Sequence, residues 1–566
     1  MKRICQRLII LQLLLVGFAT WSSAQTASSD YEIIQEKDTI WNFGYKGVNL
    51  FSRQMHRVDI AYTSKNLKGE DIKLSGYVCI PGDIYDGSQP CDGILLYNHY
   101  TQIGKAQAPT RGYSVGEDMV MANPLKPNYI VVCSDFIGFG IDESNPQVYC
   151  FNEINGQASI DCLLAARKLL DDRSISQGKF LLNAGYSSGG FDALATQKVR
   201  DMNTDYREAI NFDKTLVGGM PFDMMKGYDA FIDKKDEASY DPTCLPMILD
   251  TYNRNANVGY TYDQLFKEPL ASNYEEWFVS GKYSTSEIMD KFKGYRISDV
   301  VQEKFLNRSS DEYKKMKEVA KVYALETNWV PDSTQRYYSM HLVRDSVVPT
   351  PSGRAFINFL NNYRYDGKKC QGYEKSIVPE RTRLQTNYFL PLSQHTIVGG
   401  LVYYLNLAAT LTAYPVLFYD GELNTHYADL VEPATLMGII KLLESKGYDV
   451  KGIVKKLSGE GGGGSIFEVL IKLNETLKNI GTSAEEVLQI LDDSGVTLSD
   501  IIAAYTYLTT EDPKTEARSF EATAGVSDSA AEKQQTIEPL VIDYYQQSLY
   551  KWLKDNNVDI FAVEER

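Results

Sequence analysis

The sequence predicts an α/β fold: a mainly parallel sheet flanked by helices, with a helical cap inserted into it and a helical C-terminal extension. Three observations carry this reading. Short, nearly continuous apolar runs at residues 93–97, 129–133, 180–184 and 216–220 have the pattern of strands buried on both faces of a parallel sheet, where helices cover each face. A helical pattern at residues 154–170 lies between the second and third runs, which gives β-α-β order. From about Phe222 to Asp332 the chain turns polar, aromatic-rich and mostly helical, and the strand pattern resumes only at 336–343.

Taken in order, the first element is an address rather than structure. Lys2, Arg3 and Arg7 form a basic head, residues 8–20 an apolar run broken only by Gln12, and Ser22-Ser23-Ala24 a small-residue cleavage site. Cleavage after Ala24 is expected, with an exported product, periplasmic or extracellular. No later stretch reaches the ~18 uninterrupted apolar residues of a spanning helix, so no stable membrane span is expected after signal cleavage. The core then divides into 25–221 and 332–412, with the cap at 222–331 between them and the extension at 413–566 after them. It opens with a hairpin, strands 57–63 and 72–80 about the polar turn 66–71, stopped by Pro81-Gly82. The cap contains a helical pattern at 311–325, and the second part of the core reads as strand 336–343, helix 352–363 and strand 383–390. In the extension, residues 459–465 form a Gly-rich joint and Thr482 to Glu485 a capping box.

Composition bounds the function. The 566 residues exceed the ~150 of one ordinary domain, and 43% hydrophobic against 23% charged residues describes a globular chain. Lys plus Arg number 58 and Asp plus Glu 74, for a net charge of −16, a poor match to a phosphate backbone; no nucleic-acid partner is expected. Cys5 leaves with the signal. Cys79, Cys91, Cys133, Cys150, Cys162, Cys244 and Cys370 remain, an odd set that allows at most three disulfides, and several are expected as buried free thiols. Five His and no H-E-x-x-H argue against a metal site. Oligomeric state is not legible.

The chemistry centres on Gly185-Tyr186-Ser187-Ser188-Gly189, a G-x-S-x-G directly after the apolar run 180–184. The motif works as a sharp turn between strand and helix. Its glycines let the backbone bend and keep Cβ atoms away, so that the serine hydroxyl stands above the sheet edge. A second match, Gly112-Tyr113-Ser114-Val115-Gly116, follows a segment that cannot be a buried strand and reads as a loop.

With Leu96-Tyr97-Asn98-His99-Tyr100-Thr101 similar to a Y-x-H-G-T-like oxyanion strand, and Asp135-Phe136-Ile137-Gly138-Phe139-Gly140 similar to D-[YF]-x-G-x-G, the chain resembles the α/β-hydrolase superfamily. More narrowly it resembles the secretory lipase and bacterial serine esterase group, over roughly residues 62–411. Tyr100 stands where that group usually has Gly.

The resemblance implies a chain order of nucleophile, acid and base. Asp345, in Asp345-Ser346-Val347-Val348-Pro349 after the strand 336–343, looks like the acid of a D-x-x-V-P pattern, with Asp223 as its rival. His395, in a loop ahead of the helical pattern 400–411, is the expected base, with His426 as competitor. Backbone donors to an oxyanion are expected from Ser188, next after the nucleophile, and by resemblance from Tyr100 or Thr101. The expected function is that of an exported serine hydrolase cleaving carboxylic esters without a cofactor, acting on a small-molecule ester or an acylated glycan or lipid. A serine peptidase of the same fold and a non-catalytic exported binding protein are the alternatives. The 39 tyrosines, with Tyr228, Tyr240, Tyr252, Tyr260, Tyr262 and Tyr274 in the cap, read first as half-buried packing and second as a partly polar pocket lining.

Overall fold

In a computed structural model of the chain, the described residues are 30–45, 48–112, 115–122, 126–238, 240–332, 334–342, 345–362, 364–365, 368–369, 371–377, 395, 399–400, 403–404, 407–408 and 410–412. The expected signal 1–24, the expected strand 383–390, Cys370 and the extension 413–566 lie outside them.

The strands are β1 Tyr31–Tyr45, β2 Val48–Lys65, β3 Asp71–Pro81, β4 Gly93–Asn98, β5 Tyr129–Ser134, β6 Phe180–Tyr186, β7 Lys214–Gly218, β8 Arg336–Leu342, a two-residue ribbon of β9 Arg364–Tyr365 and β10 Lys368–Lys369, and β11 Gln371–Ile377. Nine of them form one sheet in the order β1-β2-β3-β5-β4-β6-β7-β8-β11. From β1 to β5 each pairing is antiparallel, and from β5 to β11 each is parallel. Every residue of β4, β5, β6 and β7 is buried, as their unbroken apolar runs require.

Three differences from the sequence reading have physical causes. The opening hairpin is a three-stranded unit, because Tyr31–Tyr45 adds β1 to the edge. That strand carries Glu32, Glu36, Lys37 and Asp38 among scattered apolar residues, so it lacks the alternation of a half-buried strand; charge of this kind guards an exposed edge. Strand β7 ends at Gly218, two residues before the expected Met220, because Gly219 turns to φ 53°. The sheet also continues through β11, a polar strand parallel to β8 that the sequence did not announce.

Helices Ile154–Asp172 and Ser188–Met202 pack on the sheet, and the cap supplies Met224–Asp233, Cys244–Asn255, Thr285–Lys291 and Asp311–Val322. The buried apolar residues of cap and core form one continuous cluster, running from Val58 and Ile94 in the sheet to Phe266, Tyr274 and Phe305 in the cap. Within the cap the rings of Phe266, Tyr274 and Phe278 stack with centroids 4.6 and 4.9 Å apart. Cys79, Cys133, Cys150, Cys162 and Cys244 are buried unpaired thiols, and burial pushes each above its ordinary range. Among the described residues no helix is long and apolar enough to cross a membrane.

Strand order places the site. The connection leaving β4 runs to β5 on one side, and that leaving β6 runs to β7 on the other, so the adjacent carboxyl ends of β4 and β6 form a topological switch point where a crevice opens. Asn98 fastens the two ends. Its Nδ2 donates to Asn183 Oδ1 at 2.9 Å and to Ala184 O at 3.1 Å, while its Oδ1 accepts from Ser159 Oγ at 2.7 Å. A fully buried amide with its partners in place fixes register as well as stability.

Burial also raises several carboxyls, four of them by a large margin. Desolvation pushes Asp135 and Asp161 up to about 6, Glu117 to about 7 and Asp192 to about 8, against the hydrogen bonds that would lower them. In each case the folded pKa lies above the unfolded one. The native state therefore binds more protons than the unfolded chain, and this contribution to stability is complete below about pH 4 and is lost as pH rises through 6 to 8. Thermal unfolding followed by circular dichroism should give a higher midpoint at pH 5.5 than at pH 8. Asp192→Asn, which keeps an acceptor for Asn155, should flatten the upper part of that dependence.

Candidate active site

Strand β6 must give way to a helix within one residue at Ser187. The backbone there has φ 58° and ψ −127°, a region a serine enters only when its surroundings force it. Ser187 N donates to Gly218 O at 2.8 Å, and Ser187 O accepts from Gly190 N at 2.9 Å, so the turn is closed from both neighbouring elements. Neither glycine of the motif has room for a side chain. A Cβ at Gly185 would lie 2.0 Å from Gly189 O, and one at Gly189 would lie 2.1 Å from Asn98 O.

The turn delivers the hydroxyl to an imidazole. Ser187 Oγ lies 2.8 Å from His395 Nε2, and His395 Nδ1 lies 2.6 Å from Asp345 Oδ2. An ionised carboxylate only accepts, so the Nδ1–H points to Asp345 and the bare Nε2 faces the serine hydroxyl, the tautomer needed to take its proton. Asp345 is itself held, because Oδ1 accepts Val347 N at 2.9 Å and Val348 N at 2.8 Å. The chain thus brings together Ser187, Asp345 and His395 from three separate segments, and all three are buried, at 7%, 3% and 3% exposure.

Three tyrosines that the sequence reading did not single out tie His395 and the helical residues after it to the sheet. Tyr186 Oη donates to His395 O at 2.6 Å, and its ring lies 5.0 Å from the imidazole. Burial holds that phenol well above its ordinary range, which keeps it a neutral donor. Tyr403 Oη donates to Leu216 O at 2.7 Å and accepts from Gly185 N at 2.8 Å, and Tyr404 Oη lies 2.9 Å from Tyr97 Oη. The helical residues after His395 are therefore pinned to the ends of β4, β6 and β7. The available signal was Tyr403-Tyr404 inside an otherwise apolar helical pattern. Asp241 of the cap was also missed: Asp241 N donates to Ser346 O at 3.0 Å, and burial pushes its carboxyl up, opposed by Thr243 and by the neighbouring His395.

Ser188 opens the helix Ser188–Met202, where the first N–H groups have no partner inside the helix and the dipole favours negative charge. Thr101 Oγ1 donates to Ser188 Oγ at 3.1 Å and lies 3.2 Å from Tyr149 Oη, which brings the segment after β4 against the turn. Tyr100 O accepts from His99 Nδ1 at 2.9 Å; burial lowers His99 to about 4, so its ring is neutral and has a single N–H to give.

The rival positions fall elsewhere. Asp223 caps the helix Met224–Asp233, with Oδ1 accepting Met225 N at 3.0 Å and Lys226 N at 2.9 Å. Ser114 and His426 lie outside the described residues. His56 sits between Glu36 and Asp38, and His341 Nε2 lies 2.7 Å from Ser339 Oγ. Among the cap tyrosines, Tyr228 donates to Phe305 O at 2.6 Å, Tyr252 to Cys150 O and Phe151 O at 3.2 Å, and Tyr274 is buried in the aromatic stack; they pack the cap.

Comparison with known proteins agrees on the fold. No protein-family model and no curated protein sequence matches the chain. Solved structures do. The rice cell wall degrading esterase LipA from Xanthomonas oryzae is 17% identical, with a TM-score of 0.54 over 70% of this chain and 99% of that one. Its ligand-bound form gives 18%, 0.52, 62% and 92%. A candidate hydrolase from Legionella pneumophila is 17% identical, with a TM-score of 0.54 over 68% of this chain and 97% of that one.

The two G-x-S-x-G matches differ in a way that stability can read. Gly189→Ala drives a methyl into Asn98 O and should lower the unfolding free energy by more than about 3 kcal/mol. Gly112→Ala has open space and only its φ of 93° to contend with, which costs ~1–2 kcal/mol. Urea unfolding of both variants measures the difference.

Proposed function

Starting from an α/β-hydrolase fold in which Ser187, His395 and Asp345 stand in hydrogen-bonding series, we propose that the chain is an exported serine hydrolase of carboxylic esters. The observation that carries the reading is the pair of contacts on one imidazole, 2.8 Å to Ser187 Oγ and 2.6 Å to Asp345 Oδ2. A serine hydroxyl is a poor nucleophile until a neighbouring base takes its proton, and the base must be oriented by a third group.

In this reading Ser187 Oγ attacks the ester carbonyl as its proton moves to His395 Nε2. The imidazolium is stabilised by Asp345, whose second oxygen stays bound to Val347 N and Val348 N. Negative charge on the former carbonyl oxygen is met by the Ser188 N–H and by a second amide from Tyr100 or Thr101; one such donor is typically worth ~3 kcal/mol of barrier. Collapse of the tetrahedral intermediate breaks the bond to the alcohol oxygen, and His395 returns the proton to that leaving group. Water then adds to the acyl-enzyme as His395 takes its proton, and collapse of this second intermediate breaks the bond to Ser187 Oγ, which recovers the proton from His395 as the acid departs. Similarity to a solved esterase structure supports the ester class. The basic head and apolar run of residues 1–24 support export.

Purified mature protein should hydrolyse p-nitrophenyl esters and react with a fluorophosphonate probe, and Ser187→Ala should reduce both to background. Equal hydrolysis by wild type and Ser187→Ala refutes the mechanism, and turnover of aminoacyl amides but not esters would select the peptidase. Asp345→Asn should keep the fold, shown by an unchanged circular dichroism spectrum, and lower kcat by about 10³–10⁴-fold, since an amide at that position favours the wrong imidazole tautomer.

A further inference from the structure

One side chain on the segment that follows β4 and packs against the cap has no role in the mechanism above. Gln102 is 3% exposed, and its Oε1 meets no hydrogen-bond donor. A buried carboxamide oxygen left unpaired costs stability, and such a group in a folded protein calls for a reason.

Its neighbours on the chain are fully engaged, so the unpaired group is held in place. On one side Thr101 Oγ1 donates to Ser188 Oγ at 3.1 Å, immediately beside the nucleophile. On the other, Ile103 N donates to Thr285 Oγ1 of the cap at 3.2 Å, and Lys105 N to Gly281 O at 2.8 Å. Gln107 closes the clamp, its Oε1 accepting Thr285 N at 2.8 Å, Thr285 Oγ1 at 3.0 Å and Gly104 N at 3.2 Å. The same amide type five residues on thus saturates its oxygen, while Gln102, between the Thr101 that touches Ser188 and the Ile103 that bonds the cap, leaves its oxygen unpaired.

We infer that Gln102 is a substrate-binding residue that recognises a free hydroxyl on the ester, so that the preferred substrates are hydroxylated esters, such as partly acylated polyols or sugars, rather than simple alkyl esters. The inference rests on the hydrolase reading. A carboxamide offers an acceptor and donors side by side, and a hydroxyl, which both donates and accepts, is its natural complement. A site built to bond a hydroxyl rejects the analogue lacking it far more strongly than an apolar pocket rejects an added hydroxyl, because the protein group is left unpaired.

The test compares matched esters differing by one hydroxyl, in two arms. Ethylene glycol monobutyrate against propyl butyrate places the hydroxyl on the alcohol side, and ethyl 3-hydroxybutyrate against ethyl 3-methylbutyrate places it on the acyl side, a methyl standing for the hydroxyl in each pair. Wild type should favour the hydroxylated member by at least about tenfold in kcat/KM in one arm, which identifies the side, and Gln102→Met should bring that ratio close to one. No preference in either arm, or a preference that survives Gln102→Met, overturns the inference. A stability readout is independent of catalysis: replacing an unpaired buried amide by an apolar isostere should raise Tm by about 2 °C, and a clear fall would show that Gln102 is satisfied structurally and overturn the inference as well. Ser187-dependent turnover of p-nitrophenyl esters separates the two readings. If it is present and the hydroxyl preference absent, only the Gln102 inference fails; if it is absent, both fail.

Discussion

The whole arrangement hangs on one backbone turn. At Ser187 the chain passes from a buried strand to a helix through a conformation that costs free energy, and the surrounding structure enforces it through Gly218 O, Gly190 N and glycines at 185 and 189. The turn does two things at once. It lifts the hydroxyl above the sheet edge, and it sets the start of the helix Ser188–Met202 where, in the proposed mechanism, negative charge develops. Relaxing it would separate Ser187 Oγ from His395 Nε2 and, in the proposed mechanism, take the Ser188 N–H away from the carbonyl oxygen that gains negative charge.

A turn alone positions one partner. The other two arrive from distant segments, and tyrosine hydroxyls hold one of them in register. Tyr186, adjacent to the nucleophile, bonds the backbone of His395, and Tyr403 bridges β6 and β7 to the helical residues beyond it. Any shift of β6 therefore carries Ser187 and His395 together. The cap participates in the same way, through Asp241 against Ser346 and through Gly281 and Thr285 against the segment after β4. One continuous buried cluster across cap and core makes the two a single packed body, consistent with the near-complete burial of Ser187, Asp345 and His395.

Much of this was legible in the residues. Strands buried on both faces write themselves as apolar runs, so β4, β5 and β6 could be read closely, and a strand-then-glycine context separated the G-x-S-x-G at Ser187 from the one at Ser114. Asp345 and His395 could be nominated because few histidines exist and the order along the chain restricts the acid. Edge strands β1 and β11 were not legible, since a polar strand at a sheet margin has neither a continuous nor an alternating apolar pattern. Neither were Tyr186, Tyr403, Tyr404 and Asp241. Their roles are hydrogen bonds across hundreds of residues, and a tyrosine that pins a backbone looks in sequence the same as one that fills a core.

The central claim is that the hydroxyl held by this turn becomes covalently acylated. Acid quenching during the first turnovers of a p-nitrophenyl ester, followed by peptide mass spectrometry, tests it most directly. The account predicts an added acyl mass on the peptide containing Ser187, formed in step with a burst of p-nitrophenol. An acyl group found on another residue, or hydrolysis at full rate with no Ser187 adduct under conditions where deacylation is slow, would contradict it.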